Sequence, residues 1–562
     1  MASYEKDKKW FRQFRSTPAY KRLKRRPIAY FCTEYGLVDR SPLYAGGLGI
    51  LAGDVMKEAD DQELPLIGIG LYYHHGYICG TRDVAGRAVE VCSSIHPQSA
   101  GFYLVKDKLG KRLTIKVPVG DHDVSAQAWE WRDRGITLYV LDTNIEENTE
   151  ADRRITDRLY VSDKEMRLKQ ELLLGIGGLR LIEALKIHPS LYHLNEGHSA
   201  FLAIELIRHE MEERGLDFDE AKQFARRRIV LTNHTLVAAG NEVFSNDLVA
   251  VMLSKYANDL SVPVHDIVKL GLVQESSLFS MTMLALRMAG VINAVSELHS
   301  DKAREIWRDH PMVSVTNGVH LPTWDVVGDT YRAGSFWKKH QERKRELLEY
   351  VRLKTKRDWK EDALLLGWAR RVVKYKRPLS LIEDVQGFAK IARDAKQPVR
   401  VLFSGHPHPS DEAGQQLLAE LRKIVDHDLQ DVAVYLPDYG METAKMMVSG
   451  CDVWLNTPVV GFEACGTSGM KAALNGVLPC STNDGWIHEA DLFKVGWLLD
   501  SGNITESLLG VLQNDIAPMY YDRNQDGVPA VWEEHMRNAR DMVTNQFSAT
   551  RMLAKYIQLM YL

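Results

Sequence analysis

The chain has 562 residues, with 71 Lys plus Arg against 75 Asp plus Glu and 45% hydrophobic content. That length exceeds what one core usually supports and predicts two large domains or more, while the near balance of charge, a net −4, argues against nucleic acid as the main partner, so any anion site must be local. No window approaches the ~20 apolar residues of a membrane span, and no apolar stretch that could serve as a signal peptide follows Met1 to Trp10, so the expectation is a soluble, cytoplasmic protein without membrane contact.

In chain order, the basic run Lys21-Arg-Leu-Lys-Arg-Arg26 reads as a solvated face. Ile28 to Cys32, Leu66 to Leu71 and Arg228 to Thr232 have the short apolar runs of strands. Between the first two, Tyr44-Ala-Gly46-Gly47-Leu48-Gly49-Ile-Leu-Ala-Gly-Asp54 is a glycine turn leading into a helix. Its N–H groups suit an anion, although such turns more often serve backbone geometry alone. His74-His75 and His406-Pro-His408 lack a carboxylate set at ligand spacing, so no metal is expected. The polar clusters Asn195-Glu-Gly-His198, Thr232-Asn-His234-Thr and Thr316-Asn317-Gly-Val-His320 could line a polyol site, while each alone reads as loop capping. The six cysteines (Cys32, Cys79, Cys92, Cys451, Cys465, Cys480) show no Cys-x-x-Cys pair and fit reduced thiols.

The charged helical stretch from Trp337 to Trp359 reads as a connector over residues 336–359. Beyond it, Ala363 to Trp368, Val399 to Ser404, Val432 to Leu436, Asp452 to Leu455 and Gly476 to Cys480 look like buried parallel strands. Amphipathic segments such as Glu412 to Asp426 and Met441 to Ser449 separate them as crossover helices. This alternation predicts an α/β fold, with a doubly wound sheet over 360–535 and a larger α/β domain over 1–335; residues 536–562 are expected to form a C-terminal helix packing back on the latter. A cleft between two such domains is the default ligand site.

Two segments carry the chemistry. Gly367-Trp-Ala-Arg370-Arg371-Val-Val-Lys374-Tyr375-Lys376-Arg377 places five cations within residues 370–377, directly after a predicted strand. Ligands of α/β sheets bind at the carboxyl ends of strands, so Arg371 and Lys376 could grip inorganic phosphate; a solvated helix start is the plainer alternative. Glu463-Ala-Cys-Gly466-Thr467-Ser-Gly-Met-Lys471 is a glycine-rich loop entering a helix. Its backbone N–H groups and hydroxyls suit a phosphate or carboxylate, and an ordinary polar turn fits the local pattern equally well. No Gly-x-Ser-x-Gly elbow or Walker loop is present, which removes the usual serine hydrolase and P-loop readings.

Taken together, Tyr30-Phe-Cys-Thr-Glu34, Gly46-Gly-Leu-Gly49, Lys169 to Gly178, His193-Leu-Asn-Glu-Gly-His198, Asn293 to His299, Thr316-Asn-Gly318 and Glu463 to Gly476 resemble, in this order, the glycogen and α-glucan (maltodextrin) phosphorylase family, in its compact bacterial and archaeal branch. The resemblance implies a glycosyltransferase with two Rossmann-like domains facing a cleft, the GT-B type, carrying pyridoxal 5′-phosphate as a Schiff base on Lys471. It implies reversible phosphorolysis of terminal α-1,4-glucosyl residues by inorganic phosphate, with retention, giving α-glucose 1-phosphate. In the family the cofactor's phosphate, rather than its ring, donates and accepts the proton. By position Thr467, Gly466, Arg370 and Tyr439 match the cofactor's surroundings, and Arg371 and Lys376 the substrate-phosphate clamp. Gly46 and Gly47 match the loop meeting that phosphate, while His234, Asn317, Glu463 and Tyr375 match residues at the sugar.

Three positions depart from the family pattern: Cys465 stands where serine is usual, His406 where lysine is common, and Gly440 where the large animal enzymes carry an arginine. The chain is shorter than the animal enzymes and is expected to lack the N-terminal extension common in compact members, so animal-type effector regulation is not expected. Family habit suggests a homodimer. A nucleotide-sugar-dependent glucan synthase on the same scaffold is the alternative, and it needs no pyridoxal lysine; a catalytically silent glucan-binding relative is the reading from another class.

Overall fold

In a computed structural model of the chain, every residue is described except 1–2, 39–40, 42, 76–80, 83–87, 90–93, 237–241, 274–275, 329–332, 409–410 and 438. Cys79 and Cys92 lie outside the described residues. The chain forms two compact units: one holds Met1–Tyr4, Ser296–His299 and Thr316–Arg551, the other Glu5–Val295, Ser300–Val315 and Met552–Leu562. Both are mixed α/β around a large, mainly parallel sheet.

The unit built on residues 316–551 has six parallel strands in the order Ala433–Leu436, Val399–Ser404, Leu364–Ala369, Val453–Asn456, Leu478–Thr482, Trp497–Leu499. Five are the apolar runs expected from sequence; they are buried on both faces, as crossover helices require. By chain appearance the order is 3-2-1-4-5-6, so the strand order reverses between Leu364–Ala369 and Val453–Asn456, and a doubly wound sheet opens its ligand crevice at that switch.

The charged stretch before this sheet is the helix Ser335–Thr355. It is part of the same unit, with Trp337, His340, Lys344, Leu347 and Val351 buried. Lys344 Nζ donates to Asp452 Oδ2 at 2.6 Å, Ala363 O at 2.5 Å and Tyr520 Oη at 2.8 Å, and His340 Nε2 bonds Asp452 Oδ1 at 2.9 Å. Asp452 also accepts Leu365 N at 2.8 Å, so one buried carboxylate ties the helix to the two strands at the switch.

In the other unit, seven parallel strands run Val313–Ser314, Val291–Ala294, Ile229–Asn233, Leu191–Asn195, Ile28–Phe31, Leu66–Leu71, Ile136–Asp142. His122–Asp133 then pairs antiparallel, carrying Tyr103–Leu104 and Thr114–Val119. The switch here lies between Ile28–Phe31 and Leu191–Asn195. His74, one of the paired histidines, is buried with Nε2 at 2.9 Å from Asp142 Oδ1. The last helical segment returns to this unit, where Tyr561 Oη meets His193 Nδ1 at 2.7 Å.

Candidate active site

Both strands at the switch of the six-stranded sheet release loops that carry the charged cluster. Arg370 opens the first loop, its N–H donating to Ser404 O at 3.2 Å. A Cβ on Gly405, at φ +114°, would fall 1.9 Å from Arg370 O, so only glycine permits this approach. Lys374–Lys376 form one 3₁₀ turn, ended by Arg377 in the left-handed region at φ +48°. Val459 N donates to Tyr375 O at 2.8 Å and Thr457 Oγ1 to Lys376 O at 3.0 Å, which binds the second loop to the first.

Where the loops meet, Glu463 accepts Lys376 Nζ at 2.9 and 3.1 Å and Arg370 Nη2 at 3.1 Å. Burial pushes the Glu463 carboxyl up, but Lys376, Arg370 and Arg371 outweigh it and hold the group at about 2. Lys376 is pushed down to about 8 by burial, which Glu463 offsets only in part because Arg370 and Arg371 repel the ammonium. Near neutrality Glu463 is an anion and Lys376 largely a cation. Arg370 is 7% exposed, yet its Nε and Nη1 find no hydrogen-bond partner among the described residues. Unpaired buried donors cost ~1–3 kcal/mol each, which a bound anion removes. Arg371 is exposed and donates to the Tyr375 hydroxyl.

The helix Thr467–Leu474 starts beyond Gly466, which is left-handed at φ +78°. Thr467 and Ser468 stand in its first turn, and Lys471 on its inner side is 6% exposed, its Nζ 4.1 Å from the Trp324 ring centroid. Asn475 fixes this pairing: its amide donates to Trp324 O at 2.8 Å and Lys471 O at 2.9 Å, and its carbonyl accepts Val326 N at 2.8 Å and Val327 N at 3.0 Å. Arg540 bonds Leu474 O at 2.9 Å and both Asp325 oxygens at 2.7 and 2.6 Å, closing the helix end.

The departures noted in sequence find these places. Cys465 is buried, its thiol raised by burial above its ordinary value and accepting the backbone N–H of Asn317. Asn317 Oδ1 is buried without a partner among the described residues. His406 Nδ1 lies 3.3 Å from Tyr435 Oη. Tyr439 is half-buried, and the exposed Gly440 caps Met441–Gly450.

Gly46, Gly47 and His234 belong to the other unit and gather at its own switch. A Cβ at Gly46 or Gly47 would meet nothing within 4 Å among the described residues, whereas one at Gly49 would strike Glu34 Oε2 at 2.9 Å and Tyr44 Cβ at 2.6 Å. Packing demands glycine at 49; open space adjoins 46 and 47. Glu34 Oε2 accepts Ala45 N at 2.8 Å and Gly46 N at 3.0 Å, and Oε1 takes the Tyr160 hydroxyl. The Gly46 N–H is thus already committed, and the donors this turn can offer an anion begin at Gly47.

Beside it, His234 Nε2 lies 2.6 Å from Asn195 Oδ1, and His234 N donates to Glu196 Oε1 at 2.6 Å. Glu196 sits at φ +76°, ψ 174°, a strained conformation for any residue with a side chain. Burial, resisted by the His234 N–H and Thr235, pushes its carboxyl up to about 7. Glu34, Glu196, Trp324 and Asn475 were not singled out by sequence reasoning, although each adjoins or lies inside a segment that was.

The sequence pattern described as carbohydrate phosphorylase matches residues 142–326 and 321–492. Among similar proteins, the maltodextrin phosphorylase of Thermococcus litoralis is 36% identical, aligned over 95% of this chain and 70% of its own length. The glycogen phosphorylase of Mycobacterium tuberculosis is 35% identical over 95% and 70%, and that of Aquifex aeolicus 33% over 96% and 86%. The chain belongs to the carbohydrate phosphorylase family. Within that family's matched stretches fall His234, Asn317 and every predicted site residue from Arg370 to Lys471; Gly46 and Gly47 lie outside them.

Proposed function

We propose that this protein is an α-1,4-glucan phosphorylase that transfers the terminal glucosyl residue of a glucan to inorganic phosphate, reversibly and with retention, giving α-glucose 1-phosphate. The observation that carries this reading is the Arg370–Glu463–Lys376 cluster at the switch of the six-stranded sheet, with two buried donors of Arg370 left for an anion. Membership of the phosphorylase family and relatives named maltodextrin and glycogen phosphorylase support the same reaction.

The residues fit pyridoxal phosphate: a buried lysine amine on Lys471, the first helical turn at Thr467 beyond Gly466, and the orphaned Arg370 donors. When bound, that group supplies a phosphate able to give and take a proton. Lys471 would hold it, with Trp324 and Asn475 fixing the lysine's direction and Thr467, Arg370 and Tyr439 lining the phosphate side. Arg371 and Lys376 would bind inorganic phosphate, the arginine through its fork and the lysine as a compact charge. Glu463, ionised at neutral pH, cannot donate a proton; it balances the cations and accepts a sugar hydroxyl. Tyr375 supports Arg371, while His234, Asn317 and the Gly46-Gly47 turn read hydroxyls and phosphate.

The GT-B arrangement, a cytoplasmic location and a homodimer belong to the same proposal; among the described residues no helix is long and apolar enough to cross a membrane. Incubation with maltodextrin and phosphate should release glucose 1-phosphate, and borohydride reduction should leave a pyridoxyl mass on the Lys471 peptide. Chain extension from ADP-glucose without any glucose 1-phosphate formation would overturn the reading.

A further inference from the structure

The loop that delivers Glu463 to the charged cluster carries an apolar feature that the phosphate chemistry does not use. Phe462 is 49% exposed and Val460 42% exposed, although both adjoin a site of buried ions. They are not on a loose strand of surface. Val459 N is bonded to Tyr375 O, Phe462 N donates to Val459 O at 3.2 Å, and Gly461 turns the chain between them at φ +89°. Glu463 N is held by Asp484 Oδ2 at 2.9 Å. The Phe462 ring stacks on Tyr375, with centroids 6.0 Å apart and planes inclined by 30°, and the Tyr375 hydroxyl accepts from Arg371. One continuous row therefore runs from a phosphate-side cation through a half-buried phenol to an exposed aromatic face.

Exposing a fixed aromatic ring costs hydrophobic stabilisation unless something covers it during function. The covering surface must tolerate an ionised carboxylate one residue away and present both hydroxyls and an apolar face. A pyranose ring does this: its axial C–H groups form an apolar face, and its rim of hydroxyls can reach Glu463 at the same time. We propose that Phe462, backed by Tyr375 and flanked by Val460, is a glucan-binding platform that stacks on a glucosyl residue of the α-1,4 chain next to the bond being cleaved. The proposal rests on the phosphorylase reading of the site and adds a specificity residue to it. Phe462 touches the chain and takes no part in proton transfer, so its loss weakens glucan binding and leaves phosphate binding intact.

The test uses the holoenzyme with maltoheptaose as the probe. Phe462→Ala should raise the KM for maltoheptaose by about tenfold, the equivalent of ~1.4 kcal/mol of stacking, with the KM for phosphate within about twofold of wild type. Phe462→Tyr keeps the ring and should stay close to wild type for both. Calorimetric titration of maltoheptaose without phosphate should show the same loss in the alanine variant. Because Phe462 is half exposed, unfolding temperatures should coincide, which separates the effect from misfolding. A wild-type enzyme that forms glucose 1-phosphate, beside an alanine variant with unchanged maltoheptaose KM and affinity, overturns the platform and leaves the activity standing. Changed self-association with unchanged KM also overturns it, assigning the ring to a second copy of the chain. Absence of glucose 1-phosphate with wild-type protein instead removes the phosphorylase reading itself.

Discussion

Glu463→Gln separates the two roles of the central carboxylate. The carboxyl falls from its ordinary 4.5 to about 2, and at ~1.4 kcal/mol per decade this contributes about 3 kcal/mol to the folded unit. Because the folded value is depressed, that contribution is present above pH 4.5 and disappears as pH falls toward 2. Lys376 is pushed down to about 8 in the same cluster, so part of the gain on Glu463 is returned through the ammonium, and about 3 kcal/mol is a ceiling. The glutamine variant leaves Arg370 and Lys376 buried without a counter-ion. In phosphate-free buffer at pH 7 its unfolding temperature should fall by several degrees, as expected for ~2–3 kcal/mol in a unit of this size. Phosphate should then stabilise the variant more than wild type, since the three cations no longer share their charge with a carboxylate; an affinity gain of about tenfold is expected. Turnover should nevertheless collapse, because the neutral amide oxygen accepts a sugar hydroxyl far more weakly than the carboxylate does. Differential scanning with and without phosphate reads both effects. Equal unfolding temperatures for wild type and variant without phosphate, or an equal phosphate response, would refute the counter-ion argument.

Lys344→Met should destabilise the unit by about 3–5 kcal/mol in denaturant titration, since Asp452 is left fully buried and ionised without its ammonium, and Asp452→Asn in the same chain should recover much of the loss. Glu196, raised by burial to about 7, contributes stability that is whole below pH 4.5 and is lost as pH climbs through about 7; Glu196→Gln should flatten unfolding temperature against pH over that interval. Glu34→Ala removes the acceptor of the Ala45 and Gly46 N–H groups and should raise the phosphate KM by roughly tenfold, or ~1.4 kcal/mol, with little change in maltoheptaose KM if the turn serves phosphate.

The strands of the six-stranded sheet were legible because each is a short run buried on both faces, which leaves no polar alternation to confuse the pattern. Trp497–Leu499 escaped because it is an edge of three residues with Leu498 exposed. His122–Asp133 escaped because its ends are polar and its partners antiparallel. The helix Ser335–Thr355 shows a different limit. Its charge density reads as a connector, yet Lys344 is wholly buried because Asp452 waits 108 residues further on; no local periodicity carries that information. The cationic cluster was visible as a cluster, but not that Glu463, 87 residues from Lys376, occupies it. Likewise Glu34 meets Tyr160 across 126 residues.

These long-range pairings give the two switch points opposite electrostatic characters. At the switch of the six-stranded sheet, burial is overcome by paired charge: Glu463 stays ionised against Lys376 and Arg370, and Asp452 is held below the ordinary carboxylate range by Lys344 and His340 despite complete burial. At the switch of the other sheet burial wins. His193 and His198 are pushed down to about 3 and stay neutral, and Glu196 rises to about 7, with only backbone and hydroxyl donors to resist it. The first environment suits anions, whose charge needs fixed cations. The second, a set of uncharged imidazoles and amide groups around a carboxyl that is half neutral at pH 7, suits hydroxyls, which need donors and acceptors without net charge. Each environment is assembled at the switch point of its own sheet.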